Sequence, residues 1–198
     1  KWNQPPPRDV RNYYPELFYG WNEPSVFGQQ IVIDDSFCGD ERPITQIRWW
    51  GSYLDWRAGD APPEAPDAFR ISIWSDSCTS PVFATGQPHQ LVWEQTVPRS
   101  ALNETCVGGD FYADRRVDPD SCFQYDFSLP EDRWFVQEHD STYFWISISA
   151  LYTGELPQQH PWGWTTRDRY FRSDALRVLR PTAPRVDSLY VRGETVQP

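Results

Sequence analysis

The chain has 198 residues, 39% hydrophobic and 23% charged, a globular composition that excludes a disordered tail. No apolar run approaches the ~18 residues of a membrane-spanning helix, which excludes insertion by helix. Eighteen basic residues against 28 acidic ones leave a net charge of −10, so nucleic acid is a poor partner.

Taken in order, the chain offers short alternating runs and almost no helical signal. They are 29–34 (QQIVID), 45–50 (TQIRWW), 68–75 (AFRISIWS) and 90–95 (QLVWEQ), then 121–128 (SCFQYDFS), 142–149 (TYFWISIS), 174–180 (DALRVLR) and 186–192 (VDSLYVR). Each is rich in β-branched and aromatic residues, which suit a pleated, half-buried surface. The period is two. Phe69, Ile71 and Ile73 share one face of their run and Arg70, Ser72 and Trp74 the other; Phe144, Ile146 and Ile148 oppose Tyr143, Trp145 and Ser147.

Between the runs lie turn-forming stretches: APPEAP at 61–66, GQPH at 86–89, GGD at 108–110, DPD at 118–120 and LPE at 129–131. Nineteen prolines argue further against helices. The expected fold is all-β: an antiparallel two-sheet sandwich, jelly-roll-like, of eight or nine strands. No internal repeat or long linker divides the chain. Residues 1–181 read as one domain with an N-terminal arm over about residues 1–20. Residues 182–198 read as a C-terminal strand or tail.

Four cysteines, Cys38, Cys78, Cys106 and Cys122, lack the short pair spacing of zinc sites. Two disulfides in an oxidising compartment are expected, with free thiols as the other reading. No methionine occurs, not even at position 1, and a removed signal peptide is the ordinary reason. The expected location is therefore extracellular or at the cell surface.

Catalytic signals are weak. His89, His139 and His160 sit in polar, turn-like stretches without a second ligand at metal spacing, so solvated loop histidines are expected. No GxSxG turn occurs. Asp34, Asp35, Glu94, Glu131 and Asp132 offer carboxylates to a glycosidase, but an acidic surface supplies such pairs by chance. Calcium is the one cofactor considered. Asp34 with Asp35, and Asp118 with Asp120, offer it oxygens in stretches that are also ordinary turn chemistry.

Aromatics are abundant: 16% of residues, with 11 Trp. Trp74 and Trp145 fall opposite the Phe/Ile rows, and Trp162 and Trp164 flank Gly163 in a Pro-containing stretch. These four are the candidate ligand or interface aromatics, with core packing as the plainer reading. Charge is uneven. Residues 167–198 carry seven Arg and four acids, or +3, which leaves −13 on residues 1–166. Such a distribution suits association between copies, and equally pairing of these Arg within the same domain. Pro181 and Pro184 keep the last run from continuing the one before it, so Val186, Leu189, Tyr190, Val191 and Arg192 are expected to cover a sheet edge, of this chain or of another copy.

Several fragments in order resemble one family. They are KW at 1–2, QPP at 4–6, IDDSFC at 33–38, PITQIRWWGS at 43–52, FRISIWSD at 69–76 and LVWE at 91–94. CFQYDFSLP at 122–130, YFWISISA at 143–150, WGWTTR at 162–167 and DALR at 174–177 continue it. Together they resemble secreted β domains of unknown function found chiefly in planctomycete-like bacteria. The resemblance implies an extracellular β domain and supplies no activity, ligand or catalytic residue. It also implies a disulfide pairing. Cys38 and Cys122 lie in matched fragments and would be the shared bridge, leaving Cys78 with Cys106.

The expected function is a non-catalytic extracellular structural protein that self-associates or forms a surface polymer or filament. A carbohydrate-binding module using exposed Trp is the alternative, and a glycoside or ester hydrolase the third. Expected partners are other copies of the chain, with extracellular polysaccharide second.

Overall fold

The computed structural model describes residues 17–18, 22–38, 41–76, 88–112, 115–137, 143–154, 158–165, 176–179 and 194–195. Twelve strands lie among them: β1 (Leu17–Phe18), β2 (Asn22–Pro24), β3 (Gln30–Cys38), β4 (Gln46–Tyr53), β5 (Ala68–Asp76), β6 (Pro88–Pro98), β7 (Asn103–Tyr112), β8 (Arg115–Ser128), β9 (Tyr143–Leu151), β10 (Trp162–Thr165), β11 (Leu176–Leu179) and β12 (Glu194–Thr195). Helix is limited, among the described residues, to two single 3-10 turns, Arg99–Ala101 and Glu131–Arg133.

The first sheet has the order β1-β7-β8-β4-β10-β2 and the second β12-β11-β3-β9-β5-β6. Pairing is antiparallel throughout except for β1 against β7. The fold is therefore the all-β two-sheet sandwich that the alternation predicts.

The main core lies between the sheets. It takes Trp49, Tyr53, Phe123, Tyr125, Trp162 and Trp164 from the first sheet, and Phe69, Ile71, Ile73, Phe144, Ile146 and Ile148 from the second. Trp49 stacks on Tyr125 at 5.3 Å, and Phe69 meets Trp162 edge-on at 4.9 Å. Room for Trp162 comes from Gly51: a Cβ there would lie 2.5 Å from the indole ring. A second apolar cluster covers the outer face of the second sheet, built from Ile31, Ile33, Trp74, Trp145, Leu176 and Val178. At one flank Arg177 of β11 forms an ion pair with buried Glu23 of β2, joining the two sheets.

Two stretches read as turns are strand. GGD at 108–110 lies inside β7, and DPD at 118–120 lies inside β8. Pro119 is tolerated because it precedes Cys122, where β8 starts to pair with β4 at Ser52. On the other side Pro119 faces the register shift between Asp110 and Tyr112. The run 186–192 lies outside the described residues. β12, just after it, adds a short strand to β11 at one end of the second sheet.

Candidate functional site

None of the four aromatics singled out by pattern is exposed. Trp162 and Trp164 stand on β10, between β4 and β2, with both rings in the main core. Their alternation around Gly163 is a strand pattern, and the nearby prolines belong to the preceding loop. Trp74 and Trp145 do lie opposite the Phe/Ile rows, as the period requires, but they face each other across β5 and β9 inside the second cluster. The Trp145 indole N–H donates to Asp76 Oδ1 at 2.8 Å.

The cysteine pairing is corrected as well. Cys106 and Cys122 are both free thiols, Cys106 exposed and Cys122 buried, so neither the Cys38–Cys122 nor the Cys78–Cys106 bridge is formed. The reason lies in the sheets. Cys122 follows Ser121 on β8 and points away from the core face of Phe123, while Cys38 closes β3 in the opposite sheet. Cys106 stands opposite Phe123 rather than Cys122, which sets it on the other face of its sheet.

Of the calcium candidates, Asp34 and Asp35 occupy a register shift in β3, and Asp118 lies in β8; their side chains are outside the described residues. Asp120 is buried, and its Oδ2 accepts the Asp55 backbone N–H at 3.1 Å. Among the described residues no three His, Cys, Asp or Glu side chains converge as a metal would require.

Asp120 borders a buried polar cluster to which four strands contribute one side chain each. Ser52 of β4 and Thr165 of β10 both donate to Oδ2 of Asp110 on β7, Thr165 at 2.6 Å. Cys122 of β8 lies 3.9 Å from Thr165 Oγ1. Among the described residues Oδ1 of Asp110 has no hydrogen-bond partner. Burial raises the Asp110 carboxyl above the ordinary carboxylate range, against the pull of the two hydroxyls. Burial, with Asp110 beside it, pushes the Cys122 thiol well up. Burial also raises Asp120, to about 6. The cluster ties β4, β7, β8 and β10 together through side-chain contacts. Its acid was hidden by a Gly-Gly-Asp signal that reads locally as a turn.

The histidines divide. His89 is exposed and His139 lies outside the described residues. His160 is not a solvated loop residue. Its Nδ1 lies 2.7 Å from the Leu54 carbonyl, its ring packs 5.2 Å from Trp56, and its Nε2 is 3.9 Å from Glu64. Of the glycosidase carboxylates, the side chains of Asp34 and Asp35 lie outside the described residues. Glu94 pairs with Arg70, while Glu131 and Asp132 stand exposed on a 3-10 turn.

The exposed features concentrate elsewhere. β6, eleven residues long, is an edge strand of the second sheet. Four large apolar side chains are exposed among the described residues: Val92 (43%), Trp134 (36%), Val136 (58%) and Tyr143 (49%). Two contacts place the stretches that carry them. Val92 adjoins Trp93, whose indole N–H donates to the Arg133 carbonyl beside Trp134 at 3.1 Å. Phe135, between Trp134 and Val136, packs edge-on at 5.1 Å against Phe144, next to Tyr143. Among the described residues, the stretch that exposes Trp134 and Val136 therefore forms a rim beside the edge strand β6. The sequence named none of these four, because singly each is an ordinary surface residue.

Architecture and surface together define, among the described residues, a two-sheet β-sandwich whose second sheet ends in the long strand β6. The chain belongs to the family described as Domain of unknown function (DUF7901), whose family model matches residues 1–192. No curated protein and no solved structure matches the chain.

Proposed function

We propose that this is a non-catalytic structural domain that associates with further copies of itself through the β6 edge. The observation that carries this reading is an eleven-residue edge strand, with Val92 exposed on it, beside the stretch that exposes Trp134 and Val136. An edge strand presents backbone groups for pairing with another chain, and exposed apolar groups beside it reward that pairing. Pro88 and Pro98 close the strand at both ends, which limits the pairing to one register length. The uneven charge of the chain steers copies toward one another.

A secreted, bacterial origin belongs to the same proposal. It rests on the fragments that resemble planctomycete-type domains and not on disulfides, since Cys106 and Cys122 are free.

Size-exclusion chromatography with light scattering, followed by negative-stain microscopy, tests the association. The wild-type chain is expected to form dimers or longer assemblies as concentration rises. Val92→Glu with Val136→Glu is expected to leave a folded monomer. A wild-type monomer at high concentration, without filaments, overturns the proposal.

A further inference from the structure

Trp49 and Trp50 are adjacent on β4, and the period of two sends them to opposite faces. Trp49 fills the core. Trp50 is half-buried on the outer face of the first sheet and, among the described residues, belongs to neither apolar cluster. Register places it in a polar row, with Gln124 of β8 beside it and Thr105 of β7 beyond. The neighbouring row is Arg48, Asp126 and Asn103. Arg48 Nε donates to Asp126 Oδ1 at 2.5 Å, and Gln124 Nε2 donates to Asp126 Oδ2 at 2.7 Å. Arg48, Asn103 and Thr105 are exposed, so this end of the face is open to solvent, whereas Ser52 and Cys122 at its other end are buried.

We propose that this face binds a neutral polysaccharide chain, with Trp50 as the stacking platform and the two polar rows as its hydrogen-bonding flanks. The apolar C–H face of a pyranose ring lies flat on an indole, whose π-face is electron-rich, while its hydroxyls seek planar donors and acceptors at the ring's edge. Gln124, Asp126 and Asn103 supply both. Three adjacent strands, about 4.8 Å apart, give the face the breadth of an extended polymer rather than a single small molecule. Charge selects the polymer's class. Arg48 and Asp126 neutralise each other, so the face carries no net cation for an acidic glycan, and a net charge of −10 repels one. The face lies on the first sheet, away from β6, and stands independently of self-association.

Affinity electrophoresis in native gels tests this. The gels contain mixed-linkage β-glucan, xyloglucan, galactomannan, arabinoxylan or dextran, with alginate as the anionic counterpart. At least one neutral polymer is expected to retard the wild-type chain, and alginate to have no effect. Trp50→Ala is expected to weaken retardation by about tenfold or more, the scale of losing one stacking anchor, with circular dichroism unchanged. Trp50→Phe should restore part of it, and Trp134→Ala, on the β6 rim, should change nothing. If Trp50→Ala fails to fold, Gln124→Ala carries the same test. Retardation by none of the neutral polymers overturns the proposal. So does retardation by alginate alone, or full retardation of a folded Trp50→Ala chain.

Discussion

Gly51 shows how one missing Cβ shapes the core. Trp162 occupies the space over it and is held there by Phe69 and Tyr125, so it has little freedom to retreat. Gly51→Ala is expected to destabilise the fold by about 1–3 kcal/mol, read from the urea midpoint at unchanged slope. Asp120 gives a second expectation. Its carboxyl is raised from 3.8 to about 6, so the folded state holds the proton more tightly than the unfolded chain. Its contribution is fully present below about pH 4 and is lost as pH rises through about 6. Urea midpoints between pH 4 and 7 should fall with this group's titration, and Asp120→Asn should flatten that part of the profile. At this scale the sequence was legible where the period of two decides a face, as for Trp74 and Trp145. It was not legible where burial depends on a distant strand. Nothing near Trp162 announces that β4 and β2 will flank it.

Strand by strand, alternation located β3, β4, β5, β6, β8 and β9 within a few residues. β7 escaped, because Thr105, Cys106, Gly108 and Gly109 are small or flexible residues with little apolar contrast. Its pairing comes from β8, fourteen residues long, which serves as its template. Tertiary context overrides local turn chemistry there. The same dependence makes β8 the element whose damage should spread furthest. Tyr125→Ala removes a buried ring that stacks on Trp49 and whose hydroxyl donates to Tyr53 at 3.3 Å. It is expected to cost about 3–5 kcal/mol, measured by thermal or urea unfolding.

Across the whole molecule the two sheets are held by aromatic packing in the centre and by the Glu23–Arg177 ion pair at one flank. Gln30 also donates to Glu23 Oε1, at 2.9 Å. Removing the guanidinium leaves a buried carboxylate with less compensation, whereas Glu23→Gln with Arg177→Met removes both charges together. Arg177→Ala is expected to destabilise by about 1–3 kcal/mol, less than a fully buried pair because Arg177 is partly exposed. The double variant should recover part of that loss in the same unfolding assay. Composition and period made the sandwich legible as a whole. Which faces would stay open was not legible, because that follows from sheet order, and sheet order is a property of pairings far apart in sequence.

The free thiol of Cys122 has a practical consequence. It is buried on the outer face of the first sheet and burial pushes its thiol well up, so an alkylating reagent reaches it only when that site opens. Cys106, exposed on the neighbouring strand, reacts without waiting and calibrates the reagent. The two residues therefore form a built-in clock. The lag of Cys122 labelling behind Cys106, resolved by peptide mass spectrometry, measures how often the buried polar cluster around Cys122 becomes accessible.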